Sequence, residues 1–235
     1  MGKHELSGRD TWQDYSGANA GIAEKSFYTV FKKAFEGTDF QIREKPKEFK
    51  NIYRKWHLPP EVLSEIYNPT KQDYTHGIVP DYAIDNVKTD KHLYVEVKRQ
   101  DGWVEGKAKA AGRGNAHERS NKLFTPGLLK IMRANGHLGA DVLPFWVVFQ
   151  GDIARDPNRN REIHCWYSGI EQHFYMWRSS SKAEPLLEHF NKHFRKLMSE
   201  PQPASNLKST EGSSDSSPQT SQALDLFLAK SSIRS

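Results

Sequence analysis

The sequence predicts an α/β fold in which helices flank a central mixed β-sheet. Three features of the 235-residue chain support this class. The first is an apolar repeat of helical spacing near the amino terminus, the second is a pair of strand-like segments at residues 80–98, and the third is a continuous apolar run at residues 144–149. Because helical and strand-like segments alternate along the chain, we expect layers of helix around one sheet.

The first half of the chain contains two predicted helices followed by two predicted strands. Apolar residues recur every three or four positions over residues 21–35, which predicts an amphipathic helix ending at Gly37. Residues 59–67 begin with two prolines and continue with apolar residues, a pattern typical of a short helix with proline in its first turn. Residues 80–84 and 91–98 predict two strands joined by a polar turn.

The second half continues the alternation. We expect a helix over residues 115–124, capped by Asn115 and interrupted near Pro126. Residues 144–149 are all apolar, which is typical of a central strand buried on both faces. Residues 162–167 predict a further strand, and apolar residues at helical spacing over residues 186–198 predict a final amphipathic helix.

The charge of the chain is modest in sum but unevenly distributed. Lys and Arg number 34 against 29 Asp and Glu, a formal net charge of +5. Cationic residues concentrate at residues 43–55 and again at residues 98–130, where aromatic residues are interleaved. Such clusters fit a surface that binds a polyanion, and a solvated basic surface is the alternative.

The cysteine content and the hydropathy of the chain indicate its cellular compartment. Cys165 is the only cysteine, which excludes an internal disulfide and a cysteine-based zinc site and indicates an intracellular protein. No segment approaches the roughly 18 continuous apolar residues of a membrane span, and no secretory signal is present. We therefore expect a cytoplasmic protein with no membrane association.

The chain divides into two parts by composition. Residues 1–199 carry the periodic apolar pattern of a folded domain. Residues 200–235 are rich in Pro, Ser, Thr and Gln, and they lack the apolar content that a packed core needs. We expect this segment to be a disordered carboxy-terminal tail.

The residues most suggestive of chemistry are Asp81, Glu96 and Lys98. Glu96 and Lys98 lie two positions apart on one predicted strand and therefore on the same face, while Val97 points to the other. If the two predicted strands pair as a hairpin, Asp81 lies beside them. Carboxylates are hard ligands suited to Mg²⁺, the carbonyl of Val97 is placed to be a further ligand, and Lys98 can neutralise charge on a phosphorane. The pattern predicts metal-dependent phosphodiester hydrolysis.

Each part of this pattern also has an ordinary explanation. A Glu-x-Lys pair on a half-exposed strand is commonly a solvated face, and Pro-Asp is a frequent turn dipeptide. The spacing of Pro80-Asp81 and Glu96-Val97-Lys98 is more specific, although so short a signature produces false positives. Other chemistries lack support: no phosphate-binding glycine loop, nucleophile-elbow serine or zinc-protease histidine pair is present.

A second candidate segment lies at residues 112–120, with the sequence Gly-Arg-Gly-Asn-Ala-His-Glu-Arg-Ser. Arg113 is suited to guanine and Asn115 to adenine in the major groove, and the small Ala116 permits close approach of the backbone to the bases. Gly112 and Gly114 permit a tight turn. The alternative is a flexible glycine-arginine loop followed by a surface helix.

These two segments together resemble a known family. The runs Glu96–Lys107 and Gly112–Leu129 are similar to the EcoRI/MunI group of type II restriction endonucleases, within the PD-(D/E)XK nuclease superfamily. The likeness extends to Glu44–Lys47, to Pro80-Asp81 and to Leu143–Phe149, and it covers most of residues 1–198 but not the tail.

The resemblance implies both a fold and a function. The fold is the restriction-endonuclease-like PD-(D/E)XK fold, residues 1–199 being the nuclease domain. The enzyme would be a Mg²⁺-dependent homodimer that cuts double-stranded DNA at CAATTG and leaves four-base 5′ overhangs. A cognate DNA methyltransferase in the host would protect the same site without being a physical partner.

The resemblance also assigns residues. Asp81, Glu96 and Lys98 take the catalytic positions, with Asp81, Glu96 and Val97 binding the metal. The DNA-binding positions are Arg113, Gly114, Asn115, Ala116 and Arg119. Glu118 would brace this segment.

Other functions remain open at this point. A structure-specific or repair nuclease of the same fold would keep Asp81, Glu96 and Lys98 without needing the base-reading segment. A non-catalytic sequence-specific DNA-binding protein, or a protein-interaction module built on the basic face, would need no catalytic residues.

Overall fold

The computed structural model describes residues 25–54, 56–66, 76–101, 117–139, 142–178 and 181–201. The strands of this part of the chain are β1 (Phe40–Glu44), β2 (Tyr82–Asn86), β3 (Lys91–Arg99), β4 (Phe145–Gln150) and β5 (Phe174–Trp177). The helices are α1 (described from residue 25 to 34), α2 (Pro60–Glu65), α3 (Pro126–Gly136), α4 (Pro157–Trp166), α5 (Glu184–Phe190) and α6 (Lys196–Ser199). One π-helical turn, Asn191–Arg195, joins α5 to α6.

All five strands form one mixed sheet in the order β1-β2-β3-β4-β5. The pairs β1/β2 and β2/β3 are antiparallel, whereas β3/β4 and β4/β5 are parallel. β2 and β3 form the predicted hairpin, in which the side-chain oxygen of Asn86 accepts hydrogen bonds from the turn amides of Lys88 and Thr89. The mixed α/β fold class is therefore confirmed.

Both faces of the sheet are covered, which explains why its central strands are so apolar. A first core lies where α1, α5 and α6 cover one face, and it includes Phe31, Val97, Trp146 and Phe190. A second core lies on the face covered by α3 and α4, and it includes Tyr94. The alternation predicted for β3 is confirmed, since Leu93, Val95 and Val97 belong to the first core and Tyr94 to the second.

One predicted strand is wrong. Residues 162–167 belong to the end of helix α4 and the residue after it, not to a strand. The side chain of Asp156 caps this helix by accepting hydrogen bonds from the amides of Asn158 and Arg159, and Pro157 occupies its first position. The buried Ile163 and Tyr167 are four residues apart, the spacing of one helical face.

The helix predicted over residues 115–124 is also different in the structure. Glu118–Phe124 forms a 3₁₀-helix, and residues 115 and 116 lie outside the described residues. Pro126 does not interrupt a helix but begins α3, because proline is tolerated at the first position, where its missing N–H has no helical partner.

Two strands at the edges of the sheet, β1 and β5, were not predicted. β1 has five residues and β5 has four, and neither shows a regular alternation of burial. The first and last predicted helices, the short helix after Pro59 and the strand at residues 144–149 are confirmed. The predicted tail lies outside the described residues after residue 201. In the described part of the chain, no helix has the length and apolar character needed to cross a membrane.

Candidate active site

The hairpin of β2 and β3 brings the predicted catalytic residues together. Its register pairs Tyr82 with Val95, so Asp81 and Glu96 occupy the next pair of positions at the open end of the hairpin. Both carboxylates are largely buried, with 6% of Asp81 and 5% of Glu96 exposed. Two carboxylates at this depth need partners, since burying an unpaired charge is costly.

Asp81 is held by both its backbone and its side chain. Its carboxylate Oδ2 accepts a hydrogen bond of 2.8 Å from the backbone N–H of Val97. Oδ1 lies 2.5 Å from the ammonium of Lys45, and the backbone N–H of Lys45 donates to the Asp81 carbonyl at 2.9 Å. The carboxylate therefore has a fixed orientation before any ligand binds.

Glu96 and Lys98 form an ion pair on the same face of β3. The Lys98 ammonium contacts Glu96 Oε1. The second oxygen, Oε2, is buried and has no hydrogen-bond partner among the described residues. Val97, between them, turns its side chain into the first core, as the alternation of a strand requires. One buried carboxylate oxygen at the end of the hairpin is thus left available to bind a cation.

Lys45 is a site residue that the sequence reasoning missed. The sequence identified it as one of several cations at residues 43–55 and as part of the family-like stretch Glu44–Lys47, without a role. The structure places its ammonium against Asp81. It follows directly after β1 and has a φ of +43°, an uncommon conformation for a residue with a Cβ. A positively charged residue directly after a strand was the available signal, but β1 itself was not predicted.

The predicted base-reading residues are only partly described. Arg113, Gly114, Asn115 and Ala116 lie outside the described residues, whereas Arg119 lies on the 3₁₀-helix and is exposed.

The chain is anchored immediately before Arg119. His117 is fully buried, stacks on Trp166 at 5.4 Å between ring centroids, and has its Nε2 3.2 Å from Glu162. Burial is the main cause that lowers the pKa of His117, with the Arg159 charge second. The buried imidazole fixes the start of the 3₁₀-helix against α4.

The fold and the site together define a class. A mixed sheet that presents two carboxylates and a lysine at the end of one hairpin is the arrangement of the PD-(D/E)XK nucleases. The family model described as "Type II restriction enzyme MunI" matches residues 1–199.

The chain is similar to a known protein and to a solved structure. One is the type II restriction enzyme MunI of a Mycoplasma species, which is 52% identical over 201 residues, 84% of this chain and 100% of that protein. The other is the crystal structure of MunI restriction endonuclease in complex with cognate DNA, at 50% identity and a TM-score of 0.69, covering 80% of this chain and 96% of that one.

The chain therefore belongs to the MunI family of type II restriction enzymes and is a site-specific DNA endonuclease. This finding decides between the functions that the sequence left open, because a repair nuclease or a non-catalytic DNA-binding protein would belong elsewhere. Restriction enzymes of this type generally use divalent metal ions.

Proposed function

We propose that the chain hydrolyses double-stranded DNA at a single palindromic sequence with Mg²⁺ bound by Asp81, Glu96 and the carbonyl of Val97. The observation that carries this proposal is the convergence of Asp81 and Glu96 at the end of one hairpin, with Glu96 Oε2 buried and lacking a donor among the described residues. An oxygen in this state costs free energy until something binds it.

The donor set fits Mg²⁺. Two carboxylates and a carbonyl are hard oxygen ligands, and Mg²⁺ is commonly bound through one or two carboxylates while it keeps several waters. When bound, the ion would polarise a phosphoryl oxygen and acidify a water. No histidine or cysteine contacts Asp81 or Glu96 among the described residues, so no softer ligand favours a different metal there.

The protein residues have separate roles. Asp81 offers a carboxylate already oriented by the Val97 amide and by Lys45. Glu96 holds the Lys98 ammonium with one oxygen and leaves the other for the cation. Lys98, so placed, neutralises the charge that develops on the phosphate during attack. Catalytic function is thus assigned to Asp81, Glu96 and Lys98, and metal binding to Asp81, Glu96 and Val97.

For specificity we propose the site CAATTG. A protein that is 50% identical has been solved with its cognate DNA, and that degree of identity supports a shared mode of DNA reading. Asn115, Ala116 and Arg119 would read the inner AATT, and Arg113 the guanine of the outer C·G pair, to which arginine can donate two hydrogen bonds. Gly114 would provide the turn between them, and Glu118 would brace the segment.

A homodimer follows from the symmetry of the proposed site. A palindrome presents the same sequence on both strands, so two copies related by a two-fold axis can each cut one strand. The four-base 5′ overhangs that we propose rest on the family resemblance, because symmetry does not set their length. Residues 1–199 form the nuclease domain in this proposal, which the extent of the family model supports, and residues 200–235 form the tail. We place the enzyme in the cytoplasm with the DNA it cuts, where a cognate methyltransferase would protect host sites.

The proposal is tested by digesting a plasmid of known sequence with the purified chain and Mg²⁺ and sequencing the fragment ends. We expect discrete fragments whose ends all map to CAATTG sites. Cleavage at a sequence lacking AATT would contradict the assignment of Asn115, Ala116 and Arg119. Cleavage at GAATTC but not CAATTG would contradict the role of Arg113 alone.

A matched pair of variants sharpens the test of Arg113. Arg113→Ala should relax the outer base pair before the inner four, because each good bidentate contact discriminates by roughly 1–3 kcal/mol. Arg155→Ala removes an exposed arginine beyond β4 and should leave specificity unchanged. If both variants relax the outer pair equally, the contact assigned to Arg113 is wrong.

A further inference from the structure

Three side chains of metal-ligating type meet where the β2–β3 turn approaches the end of α3. Asp90 is the last residue of the turn, His92 is the second residue of β3, and His137 directly follows α3. One ring nitrogen of each histidine and one carboxylate oxygen of Asp90 lie within 4.8 Å of one another. None of the three belongs to the catalytic site.

The fold holds these residues together through a close approach of α3 to β3. A Cβ added at Gly136 would lie 3.0 Å from the carbonyl oxygen of His92 and 3.1 Å from the Cβ of Pro144, so a side chain here would push α3 and β3 apart by a few tenths of an ångström. His137 then takes a left-handed conformation, with a φ of +54°, and Asp90 has a φ of +53°. Both backbone positions are uncommon for residues other than glycine.

Nδ1 of each imidazole ring has a fixed partner in the protein. His92 Nδ1 lies 2.7 Å from Oδ1 of the buried Asp85, which is itself held by Arg43 through contacts of 2.5 and 3.1 Å. His137 Nδ1 lies 2.8 Å from the backbone carbonyl of Asp90 and 3.2 Å from its carboxylate Oδ2, so His137 would bind the ion through Nε2. Histidines that bind metals almost always donate their other ring N–H to a carboxylate or a carbonyl. His92 therefore presents Nε2 to the cluster.

The separation of the His92 and Asp90 donors suits a four-coordinate ion. Two bonds of about 2.0–2.1 Å that meet at a tetrahedral angle separate their donor atoms by about 3.3 Å. His92 Nε2 and Asp90 Oδ1 are 3.3 Å apart. Imidazole and carboxylate together are ligands for Zn²⁺ and its neighbours in the transition series, not for Mg²⁺.

We propose that Asp90, His92 and His137 form a second metal site, for a transition-metal ion of the Zn²⁺ class, with water completing the coordination. Asp90 and His137 are partly open to solvent, so an ion can reach the site. The site is about 13 Å along β3 from Glu96 at roughly 3.3 Å per residue, so it is separate from the Mg²⁺ site. An ion there would fasten the turn of the catalytic hairpin to the end of α3.

The alternative is a histidine–aspartate ion pair without a metal. Asp90 has 79% of its side chain exposed, and exposed ion pairs stabilise a protein little. The two explanations differ in one measurable property, which is stoichiometric metal binding that depends on His137.

The experiment uses the full-length chain with Asp81→Asn, which weakens metal binding at the catalytic site. Zn²⁺ binding is measured by calorimetry, and Co²⁺ is used as a coloured substitute for Zn²⁺. The titration is done at mildly alkaline pH, because Asp85 raises the pKa of His92 and protons would compete with the ion. We expect one tight equivalent per chain and a melting temperature that rises with Zn²⁺.

His137→Gly is the informative second change, because glycine keeps the left-handed conformation that residue 137 requires. It should lower the Zn²⁺ affinity at least about tenfold and abolish the rise in melting temperature. His164→Gln, an exposed histidine on α4, is the control and should retain both effects.

The proposal is overturned if the Asp81→Asn chain binds no Zn²⁺, if His137→Gly binds it equally well, or if His164→Gln loses binding to the same degree. None of these outcomes depends on DNA cleavage, so they test the second site independently of the proposed catalytic chemistry.

Discussion

Asp81 offers the sharpest test of the catalytic site, because two substitutions separate its charge from its hydrogen bond. Asp81→Asn keeps an oxygen that can accept from the Val97 amide, now 2.8 Å away, but removes the charge. Asp81→Ala removes both. We therefore expect the two variants to fail equally in catalysis and to differ in stability.

The expected magnitudes follow from the contacts. A catalytic metal supplies several kcal/mol of transition-state stabilisation, and about 1.4 kcal/mol changes a rate tenfold, so losing a metal ligand should slow cleavage on the order of a thousandfold or more. A buried N–H left without an acceptor costs about 1–3 kcal/mol. At about 2–4 °C per kcal/mol for a chain of this size, Asp81→Ala should melt roughly 2–12 °C below Asp81→Asn. The Lys45 contact adds little because 55% of that side chain is exposed.

Three measurements check this reasoning. Single-turnover cleavage of a duplex with one CAATTG site gives the rate, fluorescence anisotropy in Ca²⁺ gives DNA affinity, and thermal unfolding gives stability. Both variants should still bind DNA, since removing a negative charge near phosphate does not weaken attraction. Asp39→Asn, an exposed carboxylate before β1, is the control and should cut normally. Near-normal cleavage by Asp81→Asn would refute the site, and equal melting temperatures would refute the role of the hydrogen bond.

Four further predictions follow from the ligand types, the helix cap, the tail and a buried imidazole. Mg²⁺ or Mn²⁺ should support cutting and Ca²⁺ should support binding with little hydrolysis, whereas cleavage that persists in excess EDTA would contradict a metal mechanism. Asp156→Ala should lower the free energy of unfolding by about 1–2 kcal/mol, because two amides at the start of α4 lose their acceptor; an unchanged denaturant midpoint would contradict this cap. Truncation after Glu200 should leave a folded, active dimer by light scattering and cleavage assay, and loss of either property would show that the tail contributes contacts. Burial is the largest cause of the shift that lowers the pKa of His189 from 6.5 to about 4. As the pH drops, the unfolded chain takes up a proton at this residue before the folded chain does. The free energy of unfolding should therefore fall as the pH drops from 6.5 towards 4. His189→Gln should make the melting temperature less dependent on pH in that range. An unchanged dependence of melting temperature on pH would contradict the low pKa given to His189.

The hairpin of β2 and β3 was predictable because the pattern that specifies it lies within a short stretch of sequence. The alternation along β3 is contained in nine consecutive residues, and the spacing between Asp81 and Glu96 fits a short turn. The same local reasoning failed at residues 162–167, where apolar residues separated by two positions imitate a strand. Asp156 and Pro157 provide a strong helix start just upstream, and the backbone hydrogen bonds that they satisfy decide the outcome.

What the sequence did not predict depends on residues far apart in the chain. Lys45 reaches Asp81 only because β1 pairs with β2, and β1 is too short to be identified from its own pattern. His92 and His137 meet where α3 approaches the backbone of β3 at Gly136. Each contact depends on how the elements pack, and a local pattern does not show which residue a charged side chain will contact.

We propose that the segment between Lys98 and Arg119 connects base reading to cutting, because the structure holds it at both ends. The amide of Gln100 donates to the carbonyl of Gln150 at 3.1 Å, and the carbonyl of Gln100 accepts from Ile153 at 3.1 Å, so the chain is fixed two residues after Lys98. At the other end, His117 is buried against Trp166. Of the proposed base-reading residues, those at positions 113–116 lie between these two fixed points in the chain, and Arg119 follows two residues after the second. We expect a wrong base pair to change the path of the chain between these points and so to shift Lys98, which lies two residues before Gln100. We therefore expect base-pair mismatches to lower the cleavage rate more than they lower DNA affinity.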